Sequence, residues 1–244
     1  ARPVQDDIFD TWFARHLTSA MPDFDIYSSG PLTVPDIVVR HRESRSLIGV
    51  EIKKLDAKEN GEDPRGLTLD YNSCVPCGYM SIKVSDKEET IPVYYFFALL
   101  SSDNKKILRS TLMHGDFLND DFILHQESKL ANVSNYSHGA YGEGSVRRRA
   151  MYNYPNPMNS KLKPFLGKQS LVLKDDGLRE SGLSGVFLNN IFIRRKVDST
   201  CLKFRMFTKE ERSSHSVEAV DNLFDECKKR ESRKRTSYYM SIPG

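Results

Sequence analysis

The sequence lacks any long hydrophobic run. The longest, IPVYYFFALL at residues 91–100, is interrupted by Pro92, whereas a bilayer-crossing helix needs about 20 apolar residues. No apolar stretch precedes the acidic residues of ARPVQDD, so the N-terminus does not read as a signal peptide. These shortages predict an intracellular protein with no membrane partner. Cysteine is scarce too: there are four, and Cys74 and Cys77 make one isolated CxxC. A structural zinc site takes about four N or S ligands, and no second CxxC or HxxxH follows. A redox CxxC opens a helix, but Pro76 sits inside this one and Gly78 follows it. Ordinary buried thiols are the expectation. The net charge of +3 is small and no internal repeat is visible. The charge is unevenly spread, however. Arg147, Arg148 and Arg149 are consecutive, and Lys228, Lys229, Arg230, Arg233, Lys234 and Arg235 crowd the C-terminal end. Such patches suit a polyanionic partner. A solvated helix face with a frayed tail accounts for the C-terminal cluster equally well.

What is present fits a soluble globular chain. Its 244 residues suffice for one sizeable core, elaborated in the C-terminal half. Residues 5–20 repeat Ile8, Phe9, Trp12, Phe13 and Leu17 at helical spacing, with one face buried. Residues 24–28 read as a short edge strand. Residues 36–41 and 47–53 read as Val- and Ile-rich strands, and the short polar link RESRS makes them an antiparallel hairpin. Residues 56–78 read as a long polar loop. Residues 79–84 and 93–100 are further strands, the second central. Residues 105–119 fit either strand or helix. Residues 131–160 show no clear period. Residues 169–173, 186–195 and 201–207 read as strands, and 216–231 as a closing helix. The fold expected is α/β: a central mixed sheet flanked by helices, one domain over 1–244.

One stretch resists a purely structural reading. In VPDIVVRHRESRSLIGVEIKK, residues 34–54, each strand carries charge where the pattern says core. Glu51 and Lys53 project from one face, because side chains at i and i+2 of a strand do so. Val50 and Ile52 point to the other. Asp36, on the partner strand, comes beside Glu51. Isolated charges there would be costly, and a divalent cation removes the cost. Mg²⁺ is held by one or two carboxylates with several waters. It polarises phosphate and acidifies bound water, while a neighbouring lysine orients that water or stabilises developing charge. A surface salt bridge explains Glu51 and Lys53 alone. The addition of Pro35-Asp36, fifteen residues upstream, turns the reading towards phosphodiester hydrolysis.

Pro35-Asp36…Glu51-Ile52-Lys53, after a helix, resembles the active-site motif of the PD-(D/E)XK nucleases over roughly residues 5–100. The resemblance implies that Asp36 and Glu51 bind Mg²⁺, or Mn²⁺ in its place, with the Ile52 backbone carbonyl. It implies that Lys53 assists the attacking water. In relatives an acid on the first helix also faces the metal; Asp6, Asp7 and Asp10 are candidates here. Within that family the chain looks most like a type II restriction endonuclease, cytoplasmic and prokaryotic, a homodimer acting on double-stranded DNA. A repair or recombination nuclease and a non-catalytic nucleic-acid-binding module are the alternatives.

Residues 101–244 exceed what a minimal core needs, and base readout requires loops that reach into the grooves. SHGAYGEGSVRRRAMYNYPNPMN, residues 137–159, fits that role. Arg147, Arg148 and Arg149 are candidates for phosphates or guanine edges. Asn153, Asn156 and Asn159 are candidates for adenine, and Tyr152 and Tyr154 for packing on sugars or bases. PRGLTLDYNSCVPCG, residues 64–78, follows the catalytic strand directly, and offers Asp70, Asn72 and Ser73.

Overall fold

The computed structural model describes residues 8–29, 33–59, 68–71, 74–134, 152–159, 166–176, 189–197, 200–209 and 238–243. Helix α1 (Ile8–Ala20) precedes β1 (Phe24–Ser28), β2 (Thr33–Val34), β3 (Ile37–His41) and β4 (Leu47–Asp56). Then come β5 (Thr68–Tyr71), β6 (Tyr79–Val84), β7 (Lys87–Leu100) and β8 (Ile107–His114). A short 3₁₀ turn (Gly115–Phe117) leads to α2 (Phe122–Ser134). The remaining strands are β9 (Tyr152–Pro155), β10 (Gln169–Lys174), β11 (Asn189–Val197), β12 (Thr200–Thr208), β13 (Tyr238–Tyr239) and β14 (Ser241–Ile242). The expected helix over 216–231 falls outside the described residues. Among the described residues, no helix is long and apolar enough to cross a membrane.

The fold is α/β around one mixed sheet. Its main path runs β1-β3-β4-β7-β8-β10-β12-β11, with β6 paired to β7 and β14 to β6. The β3–β4 hairpin is antiparallel, as its short link predicts, and ends at Ile37↔Val50. Strand β4 is parallel to β7, from Gly49↔Val93 to Asp56↔Leu100. Strand β7 is central, as its apolar run predicts, with β4 on one edge and β8 on the other. It also begins earlier than that run, because residues 87–92 pair with β6 in a ribbon whose turn residues Ser85 and Asp86 both have positive φ. Residues 87–90 of that ribbon are exposed, with charge at Lys87, Glu88 and Glu89, so this start of β7 carries no hydrophobic signal. The ambiguous residues 105–119 resolve into β8 and the 3₁₀ turn.

The sheet's two faces bury different sets of residues. On one, Phe9, Phe13, Ala14 and Leu17 of α1 cover Ile37, Val39, Val50, Ile52, Ala98 and Leu100. Phe13 stacks on Phe96 at 4.4 Å. The expected stripe on α1 is narrower than read: Ile8 is 85% and Trp12 40% exposed, and Trp12 lies against His16. The other face carries the larger core of Leu55, Val93, Tyr95, Phe97, Leu99, Met113, Phe117, Val172, Phe204 and Met206. Alternation along β4 therefore puts Val50 and Ile52 under α1 and sends Glu51, Lys53 and Leu55 to the larger core.

Helix α2 packs on that larger core through Leu124. Its burial is inverted relative to an ordinary amphipathic helix. His125, Ser128 and Lys129 are buried, while Ile123 and Leu130 are 68% and 64% exposed. The apolar period that marks a helix is therefore absent. The sequence does hold a start signal, because Asp121 Oδ1 accepts from Leu124 N–H at 2.8 Å, an N-cap bond.

Candidate active site

Continuing the β3–β4 register one step past Ile37↔Val50 sets Asp36 across from Glu51. The strand has ended there, and Asp36 uses its side chain where a ladder bond would be. Its Oδ2 accepts from Ile52 N–H at 2.6 Å. An extended residue's N–H and C=O leave by the same edge. The Ile52 carbonyl therefore leaves β4 on the side of Asp36, beyond the end of β3.

Glu51 is buried, 6% exposed. Its Oε1 accepts from Lys53 Nζ at 2.7 Å. Its Oε2 is buried with no hydrogen-bond partner among the described residues. Burial, and then the Glu51 charge, push the Asp36 carboxyl well above the ordinary carboxylate range; Lys53 and the Ile52 amide pull the other way. Burial works against the Lys53 ammonium, but Glu51 and Asp36 outweigh it and hold its pKa above the usual value. The three side chains thus form one electrostatic unit. Without a cation, one carboxyl favours its proton, one carboxylate is matched by a lysine, and one buried oxygen is left unserved.

Of the three N-terminal acids, Asp6 and Asp7 lie outside the described residues. Asp10 is described, and its charge reaches Asp36. Among the described residues, no three His, Cys, Asp or Glu side chains gather closely enough to hold a metal by themselves. Two carboxylates with a backbone carbonyl and water are the donors at hand, a set that suits a hard cation such as Mg²⁺.

Gly49 was not singled out by its pattern, yet it shapes this corner. It precedes Glu51 by two residues on the same face. A Cβ there would meet Pro35 Cγ at 2.9 Å and Val93 Cγ2 at 3.0 Å. Only hydrogen allows Pro35, and with it Asp36, to lie so close to β4. A glycine inside a strand is the sequence signal for such an approach.

The two segments considered for DNA contact are joined in the fold. Strands β5 and β9 pair antiparallel, with Asp70↔Asn153 among the partners. Leu69 is buried in the larger core and Tyr154 packs against it, on the sheet face that carries Glu51 and Lys53. Tyr154 is thus partly committed to packing. Asn156 is fully buried, and its Oδ1 accepts from Met158 N–H at 3.1 Å, so its side chain is turned into the fold after β9. Asn72, Ser73, Arg147, Arg148 and Arg149 lie outside the described residues, and for Asn153 only the backbone pairing is described.

The buried thiols match expectation for Cys77, which is fully buried and whose thiol burial pushes up to about 12. Cys74 differs. It is 5% exposed; burial raises its thiol, but the His125 ring and Lys129 of α2 outweigh it and hold its pKa below the ordinary thiol value. No protein-family model, no curated protein and no solved structure matches the chain.

Proposed function

We propose that this protein is a Mg²⁺-dependent endonuclease that hydrolyses double-stranded DNA at specific sequences, in the manner of a type II restriction endonuclease. The observation that carries the reading is Asp36 set across from Glu51 at the end of β3. The Ile52 amide and the Lys53 ammonium bond one carboxylate each, and Glu51 Oε2 is buried and unserved. Mn²⁺ fits the same donors.

When bound, the cation supplies Lewis acidity towards a phosphate oxygen and acidifies a water. The chain's own residues do the rest. Asp36 and Glu51 would hold the ion with their negative charge. The Ile52 amide fixes the Asp36 carboxylate, and the Ile52 carbonyl would be the third donor. Lys53 stays charged beside them; it orients the attacking water and offsets charge gathering on the phosphate. Asp10 adds a further negative field from α1.

Support for DNA as substrate comes from the β5–β9 pairing. It ties the segment leading to Asn72 and Ser73 to the segment following Arg147, Arg148 and Arg149, on the face that carries the carboxylates. A homodimer would present two such sites to the two strands of a palindrome. The test is incubation with long phage DNA and Mg²⁺, followed by sequencing of fragment ends. Discrete ends, lost with chelator, are expected. Preference for branched DNA would point instead to a recombination nuclease. Binding unchanged by chelator, with no turnover, would leave a nucleic-acid-binding module.

A further inference from the structure

Just before Asp36 the chain lies outside the main sheet. Strand β2 belongs to a separate two-stranded ladder with β13, in which Thr33 pairs with Tyr238 and Val34 with Tyr239. One more bond extends it: Met240 N–H donates to Val34 O at 3.1 Å. The other side of the same residue serves β6, where Lys83 N–H donates to Met240 O at 2.9 Å. Strand β14 then runs parallel to β6, and Ser85 N–H donates to Ile242 O at 3.3 Å. Residues 238–243 thus form a strap that joins β2 to β6. The strap is also tied to β3. Arg40 Nη1 donates to Pro243 O at 2.8 Å, across 203 positions of sequence, and the same guanidinium bonds Asp25 and Tyr27.

Met240 and Ile242 are each 3% exposed, and they pack with Val38, Ile82 and Ile91 in a core of their own. The strap therefore holds Val34 on one side of Asp36 and covers Val38 on the other. Aiming a short side chain takes both peptide units beside it, because the backbone sets the direction in which the side chain leaves. After Asp36 the hold comes from Ser29, whose N–H and Oγ donate to Asp36 O at 2.9 and 3.1 Å. Before Asp36 it comes from Met240. Gly49 gives Pro35 room, but room does not hold a chain in place. We propose that the strap positions Asp36: Met240 and Arg40 are positioning residues that keep the Asp36 carboxylate on the Ile52 amide.

A strap lifted from β2 releases Val34 O and lets residues 34–36 swing. The carboxylate then leaves β4, and the Ile52 N–H loses its acceptor, Asp36 Oδ2. Exchange of that amide with solvent therefore reports whether Asp36 is seated. Groups that serve a site are held to about 0.5 Å by such supporting contacts. That the seated carboxylate serves a cation rests on the nuclease reading; the seating itself does not.

The experiment is native-state hydrogen exchange of the full chain without Mg²⁺, read by NMR at the Ile52 and Met240 amides. In the parent the two should open together, in one local opening that falls short of global unfolding. Met240→Ala should speed Ile52 exchange at least about tenfold, the worth of one hydrogen bond. Arg40→Met, which releases Pro243, should act in the same direction. Met206→Ala is the same substitution at a fully buried methionine of the larger core, and at equal global stability it should leave Ile52 as in the parent. Ile52 opening apart from Met240 in the parent would overturn the proposal, and that measurement decides even where a variant does not fold. An equal response of Ile52 to the two methionine variants would overturn it too. Cleavage of DNA with Mg²⁺ should fall on the order of 100-fold further in Met240→Ala than in Met206→Ala, as for a reacting group displaced by about 1 Å. Coupled opening in a protein that cuts no DNA would keep the strap and remove the nuclease reading. Parental cleavage with uncoupled opening would do the reverse.

Discussion

Replacing Gly49 with alanine tests the geometry of the carboxylate site without touching a charged group. The added methyl would stand 2.9 Å from Pro35 Cγ, 3.3 Å from Pro35 Cβ and 3.0 Å from Val93 Cγ2. Carbon atoms sit comfortably at about 3.5–4.0 Å, so a gap of roughly 0.5–1 Å must open. Val93 is fully buried on the central strand and resists moving. The Pro35 ring is rigid and carries its backbone with it, and Asp36 is the next residue. Overpacking of this kind costs about 1–3 kcal/mol. Lower freedom of the unfolded chain returns roughly 0.4–1 kcal/mol. The net loss of stability is therefore modest. Displacing a reacting group by about 1 Å can cost on the order of 100-fold in rate, so activity should fall much further than stability. Thermal melts, Mg²⁺ titration calorimetry and single-turnover cleavage at saturating Mg²⁺ measure the two effects separately. Adding Val93→Ala should let the methyl settle on the other side and recover part of the rate despite a further loss of stability. A Gly49→Ala protein with parental cleavage and parental Mg²⁺ affinity would refute the account of how Asp36 is positioned.

Asp36→Asn should cut cleavage by several orders of magnitude while stabilising the metal-free protein at neutral pH. The folded state raises the Asp36 pKa above 3.8, so the parent's stability falls as pH rises from that value through the raised one, and asparagine removes the loss; a stability difference that is the same in acid and at neutral pH would count against it. Ca²⁺ should support DNA binding with little cutting, because it takes the same oxygens with looser geometry; equal cutting in Ca²⁺ and Mg²⁺, read on the same substrate, would contradict that. Asn156→Ala should lose about 1–3 kcal/mol by stranding the Met158 N–H and leave DNA sequence preference unchanged, and a relaxed preference in a cleavage assay would restore Asn156 as a reader.

Legibility in the sequence followed the hydrophobic pattern. The α1 stripe, the β3–β4 hairpin and the apolar half of β7 all bury aliphatic or aromatic faces, so period alone locates them. The candidate site was legible for a related reason: Asp36, Glu51 and Lys53 stand out because they interrupt such faces. Where burial is polar, period says nothing. Helix α2 turns His125, Ser128 and Lys129 inward, so it reads as no element at all. Residues 87–90, at the start of β7, are exposed and give no strand signal. Asn156 looks like a surface asparagine by type, yet its side chain closes a buried turn. The contact of His125 Nδ1 with Val75 O spans 50 positions of sequence, from a loop to a helix, and no local spacing announces it.

The same contrast explains why charge is tolerated on this sheet face. Leu55, Tyr95 and Phe97 surround Glu51 and Lys53 with low-polarity neighbours, which would make lone ions expensive. The chain meets that cost piecewise. Lys53 answers half of Glu51, the Ile52 amide answers half of Asp36, and burial with the Glu51 charge raises the Asp36 pKa. Each of these partners can be displaced without unfolding a strand, because none belongs to a ladder bond of β4 with β7. Displaceable partners are what the proposed cation site requires. Cys74 approaches that unit from the α2 side and Asp10 from the α1 side. The charged centre is therefore flanked by chemistry on both faces of the sheet.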